Sequence, residues 1–476
     1  MTNADSEAPT HTLRVVSFRV SRNHPDFHVA RSQCENSRKL RNALVAVSRE
    51  ANTYRMWSED SKHQANTRIS DVIGGPASEF MNNPYLTGTH SYAALVKHVL
   101  KTNDISLPAK VAQRTGVLVA KSWKSFFANR SKDGRAPRFT KSYAVCEYTI
   151  QALSSRSLRS NTVLPTGWRT GFQLPRFIAP QDVQAARLVP RNDVEFTLEV
   201  VYTIPAAVIP KPTGELTAGI DLGVANLATV AFSDHRSGLI VAGGPLKSVN
   251  SFYNKLVAKK QDSLDDEWSN YNKYVNGDRK KEDPDYVRLN KFTSSHVSKW
   301  WNRRNRKITH YIHTVTSQLS AELVRAGVSL VVIGWSPGFK HEIRMGRKNN
   351  QKFAQIPHRK FVDELTFKLA QHGIRVTETE EAYTSQASFL DGDPVPEFRE
   401  DKRGTHSFSG RRIKRGMYRS AKGYLINADL NGGYNMIRKV QEIPPPRGEW
   451  DKGSVVVPAR RLKPKGFQPR RTVSAV

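Results

Sequence analysis

The spacing of apolar and polar positions changes character twice along the chain. Over residues 12–33, Leu13, Val15, Phe18 and Val20 sit among Arg and Ser and predict strand. From Asn36 the repeat lengthens. Leu40, Leu44, Val47, Ala51 and Tyr54 recur at helical spacing, while Arg38, Arg41, Arg49 and Arg55 take the other faces. A second helix is expected after Ser106, with Pro108 tolerated in its first turn, running through Val111, Leu118 and Trp123 to Phe126 and Phe127. Strand character returns at Pro137-Arg138-Phe139, and the strict alternation of Val194–Val200 is its clearest stretch. Strands on both sides of helices predict one β module interrupted by a helical insertion. Pro205, Pro210 and Pro212 mark a linker after it.

From residue 216 the pattern is α/β. Strands are expected at 218–222 and 227–232, followed by a polar stretch at about 247–307 that reads as a helical hairpin. Ile312, Val315, Leu319, Leu323 and Ala326 form a helix stripe closed by Gly327, and strand Val328–Ile333 follows at once. Phe361, Leu365 and Leu369 mark another helix, stopped at Gly373, before strand Ile374–Thr379. Strands alternating with helices predict a parallel or mixed sheet covered on its faces. After Pro444 the chain is Pro-rich and basic and is expected to be disordered.

Composition narrows the partners. In 476 residues, 74 Lys and Arg face 43 Asp and Glu, a formal net charge of +31. That excess fits polyphosphate, hence nucleic acid. No apolar stretch is long enough to span a bilayer, and the N-terminal residues lack a basic-then-apolar signal, so no membrane partner and a cytoplasmic location are expected. Cys34 and Cys146 are the only cysteines, too few for a four-cysteine zinc site.

Two segments carry candidate chemistry. Ala218-Gly219-Ile220-Asp221-Leu222-Gly223 sets a carboxylate at the end of an apolar strand, and Asn427-Ala428-Asp429-Leu430-Asn431-Gly432-Gly433 sets another at the head of a helix. Each acid has an ordinary alternative: Asp221 as a turn initiator and Asp429 as a helix cap. Together, in an α/β domain of a basic protein, they point to a nuclease of the RNase H type, with two metals about 4 Å apart. Such a centre usually needs a third carboxylate.

GIDLGVANLATV, RRNRKITHYIHTVTSQLSAELVRAGVSLVVIG, YTSQASF (383–389) and ADLNGGYNM resemble the TnpB proteins of insertion sequences and, equally, the miniature type V CRISPR effectors. The run LPAKVAQRTGVLVAKSWKSFFANRSKDGRAPRFTK resembles the end of that family's helical lobe, and the resemblance extends in order from about 105 to 440. It implies a multidomain α+β chain: a wedge-type β-barrel with a helical recognition insertion, then an RNase H-like α/β RuvC nuclease domain. The implied boundaries are a wedge module at 1–35 and 136–213, a helical lobe at 36–135, and a RuvC domain at 214–382. An insertion without zinc at 383–426, a final RuvC helix at 427–440 and a basic tail at 441–476 complete it. The implied activity is RNA-guided endonuclease cleavage, with a guide RNA, duplex target DNA bearing a short flanking motif, and then an RNA–DNA heteroduplex as partners. Asp221 and Asp429 match the first and last catalytic acids, and the implied cofactor is a pair of Mg²⁺ ions, with Mn²⁺ as a substitute.

Two departures matter. Most family members end the strand equivalent to Val331–Ile333 with Glu, where this chain has Gly334. The next strand ends in Thr379-Glu380-Glu381, and a neighbouring strand lies about 5 Å away, so Glu380 or Glu381 is expected to supply the missing ligand. A sub-branch of the family shares that change. Their parity is opposite, and sequence leaves open which one faces the metals. Segment 386–426 has no cysteines where the family carries a zinc site, so no zinc is expected. Arg411, Arg412, Lys414, Arg415 and Arg419 there, with Arg38, Arg41, Arg49, Arg55, Lys110, Arg114, Lys121 and Lys124 upstream, are expected to contact nucleic-acid phosphates. Two rivals are a guided DNA binder that does not cut and a basic protein that coats RNA.

Overall fold

The computed structural model describes residues 11–53, 90–129, 134–149, 161–205, 214–277, 355–397, 406–414 and 416–462, together with most of 279–335 and residues 212 and 464. The chain divides into two compact units, Met1–Ala206 and Ala207–Val476.

In the first unit, β1 (His11–Ser21) leads into a long helix α1 (Phe27–Thr53). Helices α2 (His90–Thr102) and α3 (Ala109–Ala128) follow, then β2 (Cys146–Thr149) and a short hairpin of β3 (Thr162–Val163) and β4 (Phe172–Gln173). β5 (Val183–Asn192) and β6 (Glu195–Pro205) complete an antiparallel sheet ordered β1-β6-β5-β2. Phe196, Leu198 and Val200 of β6 point inward against Phe27, Ala30 and Cys34 of α1. A second core joins Leu40 and Leu44 of α1 to Val96, Val99, Val119 and Trp123.

Three expectations need correction here. Residues 22–33 are not strand: Phe27, Ala30 and Cys34 are buried at helical spacing, so α1 starts nine residues earlier than Asn36 suggests (36 − 27). The described strands form an open sheet rather than a closed barrel, because β1 pairs with β6 and β2 with β5, and these two edges do not meet. Pro137–Phe139 is a strap along α1, not a strand. Asn42 exchanges two hydrogen bonds with Thr140, and Arg41 donates to the Arg138 carbonyl.

The second unit is built on a six-stranded sheet, with β7 (Leu216–Leu222), β8 (Asn226–Phe232) and β9 (Gly238–Ala242) as an antiparallel meander. Helices α4 (Gly244–Asn276) and α5 (Ser295–Arg325) form the expected hairpin, but its second arm runs on as one helix through the stripe at 312–323. β10 (Val328–Gly334), α6 (His358–Ala370) and β11 (Arg375–Thr379) follow, both strands parallel to β7. Gly327 and Gly373 close α5 and α6 with φ of 75° and 71°, values that side-chain-bearing residues adopt at a cost. A small sheet of β12 (Arg411–Lys414), β13 (Met417–Arg419) and β14 (Leu425–Asn427) leads into α7 (Ala428–Arg438). The order is β11-β10-β7-β8-β9-β15, where β15 (Ala459–Leu462) pairs parallel with β9. Part of the expected disordered tail is therefore a sheet edge, and Ile443, Val457 and Leu462 are buried.

Both sheet faces are covered. Ala218, Ile220 and Leu222 of β7, with Val331 and Ile333 of β10, face the core made with α5 and α6. The opposite parity, Gly219 and Asp221, lies under α7. A Cβ on Gly219 would stand 2.0 Å from the Gly433 carbonyl oxygen, so only glycine lets this helix sit directly on the central strand. That close approach brings the first turn of α7 to the end of β7.

Candidate active site

Asp221 ends β7, and its carboxylate would lie 3.2–3.4 Å from a Cβ placed on Gly432 of α7. Asp429 lies in the first turn of α7, where the helix dipole favours an acid. The cap of that helix is Asn427, whose side chain accepts from the backbone N–H of Asp429 at 2.9 Å and of Leu430 at 3.2 Å. Asp429 is thus free of the capping role sequence allowed it.

The third acid is set by the gap at Gly334. This residue occupies the same sheet face as Asp221, on the adjacent strand. A Cβ there would stand 2.8 Å from both Cγ and Oε1 of Glu381 and 2.5 Å from Cε of Met436. Glu381 fills the space that a side chain at 334 would need. Its neighbour turns elsewhere: Glu380 accepts from Lys439 Nζ at 2.6 Å, an amine whose side chain is only 5% exposed. The structure therefore brings Glu381, and not Glu380, to Asp221.

The loop carrying Glu381 is held by α7. Asn431 accepts from the Phe389 N–H and donates to the Ala387 carbonyl, and Asn435 donates to the Thr384 and Ala387 carbonyls, all at 2.8–2.9 Å. These two asparagines, four apart on one helix face, read the backbone of the YTSQASF segment. Tyr434 stacks on Phe389 with centroids 4.1 Å apart. Further on, Asp393 accepts from the N–H groups of Ser388 and Ser409 and the Ser409 hydroxyl, while Asp391 accepts from the Ser388 hydroxyl and the Ala421 N–H. The cysteine-free segment is closed by carboxylates and hydroxyls.

The electrostatics follow from neighbouring acids in a partly buried site. Burial pushes the Asp221 carboxyl up to about 8; the like charge of Asp429 adds to this and Arg412 opposes it. Burial, with the charge of Asp221 adding, pushes Glu381 up to about 9. Glu381 Oε1 is buried without a hydrogen-bond partner. Asp429 is better served: Asn226 Nδ2 donates to Oδ2 at 2.7 Å and Arg412 Nη2 to Oδ1 at 3.2 Å. Asn226 opens β8 directly after the turn from β7, and that turn is held by His358, a fully buried residue whose Nε2 lies 2.9 Å from the Gly223 carbonyl oxygen. Among the described residues, no group of three or more His, Cys, Asp or Glu side chains forms a ready-made metal site.

The basic residues fare unevenly. Arg412, expected to touch phosphate, is paired with Asp429 inside the acid cluster, while Arg411, Lys414 and Arg419 are exposed on the small sheet. Upstream, Arg38 pairs with Glu35 and Arg114 with Glu147, and Arg49 donates to the Pro137 carbonyl. Lys110, Lys121 and Lys124 are exposed. Arg55 and Arg415 lie outside the described residues. Sequence reasoning missed Asn226, His358, Asn431 and Asn435, and did not foresee that Arg412 also pairs with Asp429. The signal for Asn226 was its position just across the short β7–β8 turn from Asp221.

Parts of the chain are similar to known proteins. Residues 197–335 match the family described as a probable transposase, OrfB_IS605, and residues 358–436 match the Cas12f1-like TNB domain. Over these segments the chain is similar to the TnpB-like and Cas12f1-like proteins. A TnpB-like protein of Acidianus two-tailed virus is 26% identical over 231 residues, which span 48% of this chain and 43% of that one. Among solved structures, a Cas12f1–sgRNA–target DNA complex is similar over 89% of this chain and 98% of that one, at 13% identity and a TM-score of 0.30. A CRISPR-Cas12f ternary complex is similar over 86% and 80%, at 12% identity and 0.31. No helix among the described residues is long and apolar enough to cross a membrane.

Proposed function

We propose that this chain is an RNA-guided DNA endonuclease, with an RNase H-like RuvC domain in its second unit. What carries the reading is that Asp221 has Glu381 as one neighbour and Asp429 as another, acids from three distant stretches of sequence near the end of the central strand. An antiparallel meander flanked by two strands parallel to its first supports it, since this is the RNase H order. The N-terminal unit would bind the guide RNA and the flanking motif of the target, as the basic composition favours.

The donor set fits Mg²⁺ or Mn²⁺, because it consists of hard carboxylate oxygens and leaves Glu381 Oε1 unsatisfied. Asp221, Glu381 and Asp429 would hold the ions, which supply an activated water and a counter-charge for the leaving oxygen. The residues do the rest. Asn226 fixes the orientation of Asp429, and His358 fixes the turn before Asn226. Arg412 offsets part of the negative charge and offers a guanidinium matched to a phosphodiester.

A second reading, guided DNA binding without cleavage, is favoured by one observation: both oxygens of Asp429 are engaged, by Asn226 and Arg412. Purified protein with its co-purified RNA should nick or linearise a target plasmid in Mg²⁺, stop in EDTA, and lose the activity with Asp221→Ala or Glu381→Ala but not Glu380→Ala. RNA-dependent binding of the target without any Mg²⁺-dependent cut would establish the second reading instead.

A further inference from the structure

The first unit contains a cavity of about 720 Å³ between α1 and the strap at 141–143. His28, Arg31, Ser32 and Arg38 line it from one face of α1, at spacings of three, four and ten residues from the first. Lys141 and Tyr143 line it from the strap. The wall is pinned at both ends. Thr140 exchanges hydrogen bonds of 2.8 and 3.0 Å with Asn42, and the Ala144 N–H donates to the Cys34 carbonyl at 3.1 Å. Between these points the backbone leaves the helix and borders an open depression in which His28, Arg31, Ser32 and Lys141 are exposed.

The chemistry of the lining is unbalanced. Its one acid, Glu35, is bound by Arg38 at 2.5 Å. Arg31 donates from Nε to the Tyr143 hydroxyl at 2.9 Å, and Lys141 has no carboxylate partner among the described residues. Two cationic groups are thus left for an anion. Tyr143 is buttressed by the buried Phe196, with ring centroids 5.7 Å apart at 67°, so its ring is held rather than free to collapse into the space. The hydroxyls of Ser32 and Ser142 and the His28 ring add further polar groups to the lining. A phosphate group needs the cations, a base needs the aromatic ring, and a ribose needs the hydroxyls.

We propose that this cavity holds a single unstacked nucleotide of a single-stranded nucleic-acid segment, its phosphate on Arg31 and Lys141 and its base against Tyr143. The site is separate from the acid cluster. It shares with the proposed function only the premise that the chain binds nucleic acid. A duplex presents its bases already stacked and cannot fill a pocket of this kind without unpairing.

The test uses full-length protein freed of nucleic acid, in EDTA so that cleavage plays no part. Binding of a labelled 12-nucleotide RNA, the same sequence as DNA, and the corresponding duplex is measured over a range of salt. Arg31→Gln and Lys141→Gln should each weaken single-strand binding roughly tenfold and reduce the magnitude of the salt slope by about 0.7, the value of one lost single-strand phosphate contact. Tyr143→Leu should lose a similar factor while Tyr143→Phe keeps affinity, and a strand carrying 5-iodouridine should crosslink to Tyr143. Tighter binding of RNA assigns the occupant to a ribonucleotide strand, and tighter binding of DNA to a displaced deoxynucleotide strand. Unchanged affinity in both Arg31→Gln and Lys141→Gln, with crosslinks mapping elsewhere, overturns the proposal. Loss of plasmid cleavage alone leaves it standing, so its failure and that of the nuclease reading are separable.

Discussion

Gly334 and Glu381 compete for one volume, which makes the pair a test of the site at the scale of single residues. A glutamate restored at 334 would collide with Glu381 Cγ and Oε1 at 2.8 Å, so Gly334→Glu alone should disturb the site and abolish cleavage. Removing the rival carboxylate frees the space, and the flexible end of Met436 can move aside. The expectation is that Glu381→Ala is inactive, Gly334→Glu is inactive, and the double variant Gly334→Glu/Glu381→Ala recovers measurable plasmid cleavage. An inactive double variant that still folds and binds its RNA would show that the two positions are not equivalent. Sequence gave both halves of this pair as candidates, a missing glutamate and an acidic pair one strand away. It could not choose between Glu380 and Glu381, because the chain leaves β11 at Thr379 and strand parity no longer applies beyond it. The choice is made by Lys439, a buried amine that takes Glu380 for itself.

At the scale of elements, the α/β half was legible because its helices and strands carry long, consistent apolar repeats and end at glycines. The N-terminal half was less so. Between Phe27 and Leu40 the buried face of α1 is carried by small residues, Ala30, Cys34 and Ser37, which a reading weighted to Leu and Val passes over. The strap at 137–140 has strand-like composition but takes its hydrogen bonds from the side chains of Arg41, Asn42 and Arg49, contacts about a hundred residues apart. The C-terminal edge strand was hidden by a basic, Pro-rich composition that ordinarily signals disorder. β15 nevertheless pairs with β9, Arg460 bonds Glu322 at 2.5 Å, and Val457 packs beside Tyr434 and Ile437 of α7. Deleting residues 441–476 should therefore lower the melting temperature and uncover the β9 edge. Burying Val457 and Leu462 is worth about 1.5–3 kcal/mol each, a loss a calorimetric scan would register. A truncated chain that melts with the full-length protein would mean this edge contributes nothing.

For the whole molecule, charge acts in two opposing ways as pH changes. The net +31, counted with histidine neutral, makes the folded chain repel itself, and the loss of positive charge as pH rises relieves some of that repulsion. The acid cluster pulls the other way. Asp221 and Glu381 have folded-state values raised from 3.8 to about 8 and from 4.5 to about 9, so the folded state holds protons that the unfolded state has released. Their contribution to stability is complete below about pH 4 and is lost as pH rises towards 8–9. The window from pH 7.5 to 9 lies above the ordinary range of imidazole and below that of lysine and arginine, which leaves the site acids as the main titrating groups. In EDTA at 0.15 M salt, where the Debye length is about 8 Å and surface repulsion is screened, the melting temperature should fall over this range. Asp221→Asn and Glu381→Gln should each flatten the fall and raise the melting temperature at pH 9. Millimolar Mg²⁺ should flatten it in the unsubstituted protein, because a divalent cation compensates the same buried charges that the proton otherwise neutralises. An equal fall in all three proteins, unaffected by Mg²⁺, would separate this pH dependence from the acid cluster and remove the thermodynamic support for a metal site there.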